Sequence, residues 1–379
     1  MPSLYLNMDA LMHNLRQIPH LEKQWGFGLL PVLKMAAGYP PIVDALRQMD
    51  YRRYGVTEVD EIFLWSSEPP CRTDERPVLI SLPPPQRADD VVRLFSRSPV
   101  SSLDNLSALE AAARRMGSDT PLHEYLIMLD IGEWREGIPL QDAVTFFQAA
   151  AGRFPHLRAV GIGVTLGCLH GVCPNHDSMR ALADAVLAAE EVYGHPLTVV
   201  SLGGSVFWDW LAENHANLPF PSHCTVELRA ADPILLGYDS YHDKAAAGGT
   251  FHRDLFRLEA TVVEVQEKNI RPARLSVLNG MGQRSTPRYS GRRRRALLDC
   301  GCLHTDLEHC RLLLPEACVA DYSATYCVID VTDCPVLLRP GDTVSFVPGY
   351  WAVARSIRTP LVQKYCLPLG QTHSQKEYA

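Results

Sequence analysis

The chain has 379 residues, 46% hydrophobic and 21% charged, the balance of a folded globular protein with room for two domains. A net charge of −7 excludes a general nucleic-acid binder, and no apolar run reaches the length of a membrane span. The 11 cysteines are scattered without CxxC pairs and Met1 to Asn7 lacks a signal-peptide start, so a reducing, cytoplasmic setting is expected rather than a disulfide framework or zinc ribbon.

In chain order, Leu4 to Leu6 reads as a short strand, and Asn7 caps a helix with Leu11, Leu15 and Ile18 at helical spacing. Gly26 to Leu33 is a buried strand that ends on Lys34 and is closed by Gly38-Tyr39-Pro40. Alternation follows: helix Pro41 to Met49, strand Arg53 to Thr57, strand Pro77 to Ser81, helix Ala88 to Phe95. Strand Val100 to Leu103, helix Leu106 to Met116, strand Tyr125 to Asp130 and helix Gln141 to Ala151 continue it. Strand Ala159 to Val164, helix Met179 to Val192, strand Leu197 to Leu202, helix Val206 to Ala216 and strand Cys224 to Leu228 complete it. Eight strands, each with room for a following helix, predict an α/β fold, a (β/α)₈ barrel over residues 1–245. Beyond this the segments turn β-branched: Leu258 to Val263, Arg295 to Leu298, Tyr326 to Val331 and Thr343 to Val347. They predict a separate β domain over 246–379. The basic run Arg292 to Arg295 reads as a solvated loop rather than a polyanion site.

A barrel gathers its chemistry at the carboxyl ends of its strands. Lys34 falls there, where partial desolvation frees an amine to attack a carbonyl; the plainer reading is a stem that covers apolar surface with its head in water. Arg135 follows the Tyr125 strand within Gly132-Glu133-Trp134-Arg135-Glu136-Gly137, and is read either as turned inward or as a surface arginine paired with Glu133 or Glu136. Gly203-Gly204-Ser205 runs into a helix whose amino terminus suits an anion, although such a turn alone is a weak signal. Arg229 lies in apolar surroundings and needs a dedicated partner, and Gly237 is placed to cap the anion from the other side. A strand-end lysine, a phosphate cradle and two arginines are what pyridoxal 5'-phosphate requires.

These segments resemble the alanine racemase amino-terminal family of fold-type III pyridoxal-phosphate enzymes, and nearly the whole chain is similar to its ornithine racemase branch. The resemblance rests on the spacing of Val32-Leu33-Lys34, Leu129 to Ile138, Val160 to Leu166, Ser201 to Ser205, Leu228-Arg229 with Ile234 to Gly237, Val328 to Asp333 and Arg355 to Pro360. It implies an alanine racemase-like barrel with a β domain, and a homodimer in which each β domain contributes to its partner's site. It implies an amino-acid racemase, with ornithine or another basic or polar amino acid favoured. Lys34 is then the lysine that links to the cofactor, Arg135 lies by the ring hydroxyl or substrate carboxylate, and Thr165 lines the ring. Gly204, Ser205 and Gly237 hold phosphate, and Arg229 faces the pyridine nitrogen, a position where decarboxylases of this fold place a carboxylate. Glu227, two residues away, leaves that distinction dependent on register.

The chain departs from alanine racemase where that enzyme uses a tyrosine as second acid/base. Cys302 stands there, as a thiolate base or a small buried hydrophobe, with His304 as a competing base. Cys300, Cys302, His304, His309 and Cys310 also invite a zinc reading, in a spacing that is not a standard zinc pattern. The alternative activity is a metal-assisted lyase acting on D-hydroxy amino acids, of the D-serine dehydratase or D-threonine aldolase type. A non-catalytic cofactor carrier is disfavoured by the long β domain.

Overall fold

The computed structural model describes residues 1–65, 76–117, 121–239, 244–271, 278–279, 282 and 289–370. They divide into two units, His13–Phe251 and a second formed by Met1–Met12 with His252–Ala379. Strand β1 (Ser3–Asn7), which the sequence reading grouped with the barrel, belongs to the second unit, and helix α1 (Met8–Trp25) runs on from it. Asn7 caps that helix, its Oδ1 accepting from the Asp9 and Ala10 N–H groups, and Leu11, Leu15 and Ile18 are fully buried.

The first unit is built from β2 (Phe27–Pro31), β3 (Gly55–Val56), β4 (Val78–Leu79), β5 (Arg97–Val100) and β6 (His123–Asp130), with the short β7 (Ile138–Pro139) beside β6. It continues with β8 (Leu157–Thr165), β9 (Val199–Gly203) and β10 (Thr225–Ala230). The parallel order is β2-β10-β9-β8-β6-β5-β4-β3. A parallel bridge from Val32 to Gly55 joins the two ends, so among the described residues the eight strands close as the expected barrel. Between them lie α2 (Pro40–Gln48), α3 (Ala88–Leu94), α4 (Leu103–Met116), α5 (Ala143–Ala150), α6 (His176–Tyr193), α7 (Val206–Asn214) and α8 (Asp232–Leu235). After α8, β11 (Tyr238–Asp239) pairs with β12 (Lys244–Ala245). The apolar face of α6 shows why this packing forms: Met179, Leu182, Ala183, Val186 and Ala189 recur every three or four residues and all are buried.

One strand departs from the sequence reading. The segment expected as Val100 to Leu103 is β5, three residues earlier, and Ser102 caps α4 by accepting from the Asn105 N–H at 3.1 Å. The cause is polar residues in a buried strand: Arg97 points into the barrel against Glu227, and Ser98, on the opposite face, is buried with its Oγ 2.9 Å from His123 Nε2.

In the second unit the sheet order is β15 (Cys310–Leu312), β18 (Thr343–Pro348), β13 (Phe256–Ile270), β14 (Gly291–Leu298), β17 (Cys327–Asp330), β16 (Cys318–Tyr322). β1 pairs antiparallel with β13 and parallel with β19 (Gln363–Leu367), and Tyr5 stacks on Tyr365 at 5.0 Å. Helix α9 (Tyr350–Arg358) was not among the expected elements. The run Arg292 to Arg295 is part of β14 rather than a loop, with Arg292 paired to Glu267 and Arg293 lying 4.6 Å over the Tyr289 ring.

Burial of His123, with Arg76 nearby, pushes its imidazole down to about 3. It is neutral in the fold and takes a proton near pH 6.5 when unfolded, so its contribution is complete above that pH and is lost as pH falls toward 3. At pH 5 the loss is about 2 kcal/mol. Thermal melts should therefore show His123→Gln with a smaller drop in midpoint between pH 7 and pH 5 than the parent; an equal drop contradicts this.

Candidate active site

The ladder of β2 runs on as Val32 N–H to the Ala230 carbonyl at 3.0 Å and Leu33 N–H to the Gly55 carbonyl at 2.8 Å, and ends there. Lys34 is the next residue, half-buried, and opens the turn that leads into α2. Ala37 and Gly38 take left-handed backbone in that turn, Trp65 Nε1 donates to the Ala37 carbonyl at 2.6 Å, and Tyr39 packs on Trp65. The lysine thus emerges at the carboxyl rim from a fixed backbone.

On the neighbouring strand β10, Glu227 and Arg229 are two residues apart and share a face, which points into the barrel. They occupy successive layers. Glu227 is the deeper: its Oε2 accepts from Arg97 Nη2 at 2.5 Å and its Oε1 from Ser201 Oγ at 2.6 Å. Arg229, nearer the rim, donates through Nη1 to Ser201 Oγ at 2.6 Å, and through Nη2 to the Val164 carbonyl at 2.8 Å and Thr165 Oγ1 at 3.2 Å. Register therefore puts the arginine above and the carboxylate below, and the dedicated partner that Arg229 needs is found in Ser201, Thr165 and the Val164 carbonyl. Burial raises the Glu227 carboxyl, but Arg97 and Ser201 outweigh it and hold it below the usual range. Burial draws Arg229 down to about 10, which leaves it protonated at neutral pH.

The guanidinium fits because two strands lack side chains where it lies. A Cβ at Gly203 would stand 2.1 Å from Arg229 Nη2, and one at Gly163 would meet Nη1 at 3.3 Å. Gly204 has φ +118°, and a Cβ there would lie 2.3 Å from the Leu166 carbonyl oxygen. The chain so packs against β8 while entering α7, and the buried Ser205 is the N-cap residue of that helix. Backbone N–H groups and the positive end of the helix dipole meet there, as an anion requires. Gly237 is buried at φ +70°, its N–H donating to the Asp232 carbonyl at 3.1 Å, just past α8.

From Arg229 the network passes through Thr165, whose hydroxyl donates to Glu136 Oε1 at 3.0 Å, to Arg135, paired with Glu136 through Nε and Nη2. Arg135 thus takes the pairing with Glu136. Glu133 goes elsewhere: its buried carboxylate accepts backbone N–H groups from Gly167 (3.0 Å), Leu169 and His170 (3.0 Å) and fixes the loop after β8. Burial raises this carboxyl, and those N–H groups together with that of Val172 bring it below the usual range. Three sequence-selected residues, Arg135, Thr165 and Arg229, are therefore joined in one network. Arg97, Ser201 and Glu136 belong to it and are not among the site residues expected from sequence; Ser201, a hydroxyl at the end of the apolar run Val199-Val200, carried a local signal, whereas Arg97 and Glu136 are identified only by their long-range partners.

Cys302 lies in the other unit, half-buried, its Sγ donating to the Ser323 carbonyl at 3.1 Å. His304 is buried and lowered by that burial, its Nδ1 accepting from the Gly301 N–H at 3.0 Å. Burial pushes the Cys310 thiol up to about 12. Among the described residues, metal-ligand atoms converge at Glu190, His223 and Cys224 rather than in the Cys300 to Cys310 stretch. That group precedes β9 and β10, at the opposite end of the barrel from Lys34, and is closed by its own hydrogen bonds: His223 Nε2 and the Leu197 N–H both meet Glu190, and Cys224 donates to the Leu197 carbonyl.

If the empty side-chain positions make room for Arg229, Gly203→Ala should cost about 1–3 kcal/mol of stability through overpacking. Urea unfolding of the variant measures this, and unchanged stability would show that the guanidinium can be accommodated another way.

An ornithine racemase of Acetoanaerobium sticklandii is 24% identical over 366 residues, 97% of this chain and 99% of that protein. A lysine racemase of Thermotoga maritima is 25% identical over 370 residues, with the same coverage. In fold, the chain is similar to alanine racemase from the D-cycloserine producer Streptomyces lavendulae, with TM-score 0.70 and 18% identity over 97% of each chain. It is also similar to D-threonine aldolase from Filomicrobium marinum, with TM-score 0.66 and 15% identity over 94% of this chain and 88% of the other. The model of the alanine racemase N-terminal domain matches residues 6–218, and the chain belongs to that family.

Proposed function

We propose that the protein is a pyridoxal-5'-phosphate-dependent racemase that interconverts the L- and D-forms of a free amino acid, ornithine or another basic or polar one. The observation that carries this is a protonated, buried Arg229 in the upper layer of the barrel, on the strand beside the one that ends at Lys34. The donor set fits the cofactor: Lys34 for its aldehyde, the Gly204–Ser205 entry to α7 and Gly237 for its phosphate, Arg229 for the ring nitrogen and Thr165 along the ring. When bound, pyridoxal phosphate supplies a conjugated ring that delocalises the charge left behind when an α-proton departs.

The chain's own residues decide which chemistry follows. Arg229 holds its proton at neutral pH and has none to give to a ring nitrogen, so the electron sink stays weaker than one facing a carboxylic acid, and return of a proton is favoured over loss of carbon dioxide. Lys34 moves the α-proton on one face. Cys302 of the partner subunit in a homodimer serves the other face as the second acid/base. Arg135 offers its guanidinium to the substrate carboxylate or the ring hydroxyl. A cytoplasmic location is part of this reading, and no described helix is long and apolar enough to cross a membrane.

Incubation with single L-amino acids in deuterated water, followed by chiral chromatography and mass analysis, should give the D-form carrying α-deuterium, most readily from ornithine or lysine. Lys34→Ala should abolish both exchange and inversion. Cys302→Ser should stop inversion while one enantiomer still exchanges its α-proton. Release of a keto acid or aldehyde without racemisation would overturn the reading in favour of a lyase.

A further inference from the structure

Glu136 has no counterpart in the roles assigned above, yet it is the residue through which the two arginines of the site are joined. Its Oε2 accepts from Arg135 Nε, and its Oε1 accepts from Arg135 Nη2 at 2.5 Å and from Thr165 Oγ1 at 3.0 Å. The single proton of the Thr165 hydroxyl is thereby directed at the carboxylate, and its oxygen receives Arg229 Nη2 at 3.2 Å. Every donor direction in the series is set: Arg229 to Thr165, Thr165 to Glu136, and Arg135 to Glu136 from the other side.

The backbone that carries Glu136 is equally constrained. Asp130 Oδ1 accepts from the Gly132 and Trp134 N–H groups at 2.9 and 3.1 Å, and a Cβ at Gly137 would stand 2.5 Å from the Asp130 nitrogen. The turn therefore lies against the end of β6, and the carboxylate leaves it from a fixed point. Burial alone would raise the Glu136 carboxyl, but Arg135, Thr165 and Arg229 together hold it below the usual range. It stays ionised, with both oxygens occupied as acceptors, so it does not serve as the acid or base of the site.

We propose that Glu136 is a positioning residue: it clamps one edge of the Arg135 guanidinium, which also meets Cys168, so that the N–H groups left over are offered to an anion, and it ties that orientation to Arg229 through Thr165. The identity of the anion, an amino-acid carboxylate, rests on the racemase reading; the clamp does not. An arginine side chain that is one-third exposed otherwise samples many rotamers, and fixing it in advance removes that entropy cost from ligand binding. The gain corresponds to about tenfold to thirtyfold in affinity.

Two measurements test this. The first needs no turnover: the purified wild type, Glu136→Gln and Glu136→Ala are treated with phenylglyoxal, and each arginine is followed by peptide mass analysis. Arg135 should react about tenfold faster in Glu136→Ala than in the wild type, with Glu136→Gln between them, while the exposed Arg52 keeps its rate. Equal Arg135 rates in all three proteins overturn the clamp. The second is a double-mutant cycle on racemisation. Glu136→Ala should raise KM about tenfold with kcat changed less than about threefold, and should add nothing in an Arg135→Ala background. A full, independent effect in that background overturns the proposal, since Glu136 would then act other than through Arg135. Should the wild type turn over no amino acid, the racemase reading falls and the labelling rates decide the clamp by themselves. Circular dichroism and thermal melts of both variants separate this from misfolding.

Discussion

Charge inside a barrel has to be neutralised where it stands, and the site is organised around that requirement. Arg97, Glu227, Ser201 and Arg229 form a buried series in which each charge meets an opposite charge or a hydroxyl that can both donate and accept. Breaking such a buried pair leaves an uncompensated ion and costs about 3–5 kcal/mol, so none of its members is free to vary alone. The same series holds a guanidinium at the upper layer, opposite Leu30 on the strand that runs on to Lys34. A structural need, the pairing of interior charge, thus fixes which charge stands in the upper layer of the barrel.

The rim carries a second layer of control built on carboxylates that do no proton chemistry. Glu133 gathers the backbone N–H groups of the loop after β8, and Glu136 grips Arg135. Three residues apart in one turn, they hold two parts of the rim, a loop and a long side chain. Both are kept ionised by their donors, and both act by holding something else still.

Much of the architecture was legible in the sequence because apolar periodicity is strong in it. Seven of the eight barrel strands and the helices expected at Ala88 to Phe95 and Met179 to Val192 follow from spacing, and the strand-end position of Lys34 follows from an apolar run closed by Gly38 and Pro40. β5 was misplaced because its residues are Arg97, Ser98 and Pro99, which look like a loop to any rule that expects apolar strands. They are interior because their partners, Glu227 and His123, come from strands 130 and 25 residues away, and no local pattern records that pairing. For the same reason Glu136 looked like one of two equivalent acids flanking Arg135; backbone donors more than 30 residues downstream claim Glu133 and leave Glu136 to the arginine. Membership of β1 in the carboxyl-terminal sheet is likewise a long-range pairing, with β13 and β19.

Every role proposed for the site depends on Lys34 being the amine that takes up the cofactor. The most direct measurement is to load the protein with pyridoxal phosphate, reduce it with borohydride and map the modified peptide by mass spectrometry. The expected result is a yellow protein that loses its visible absorbance on reduction and carries a single covalent pyridoxyl group on Lys34. A colourless protein with no label, or a label on another lysine, would contradict it.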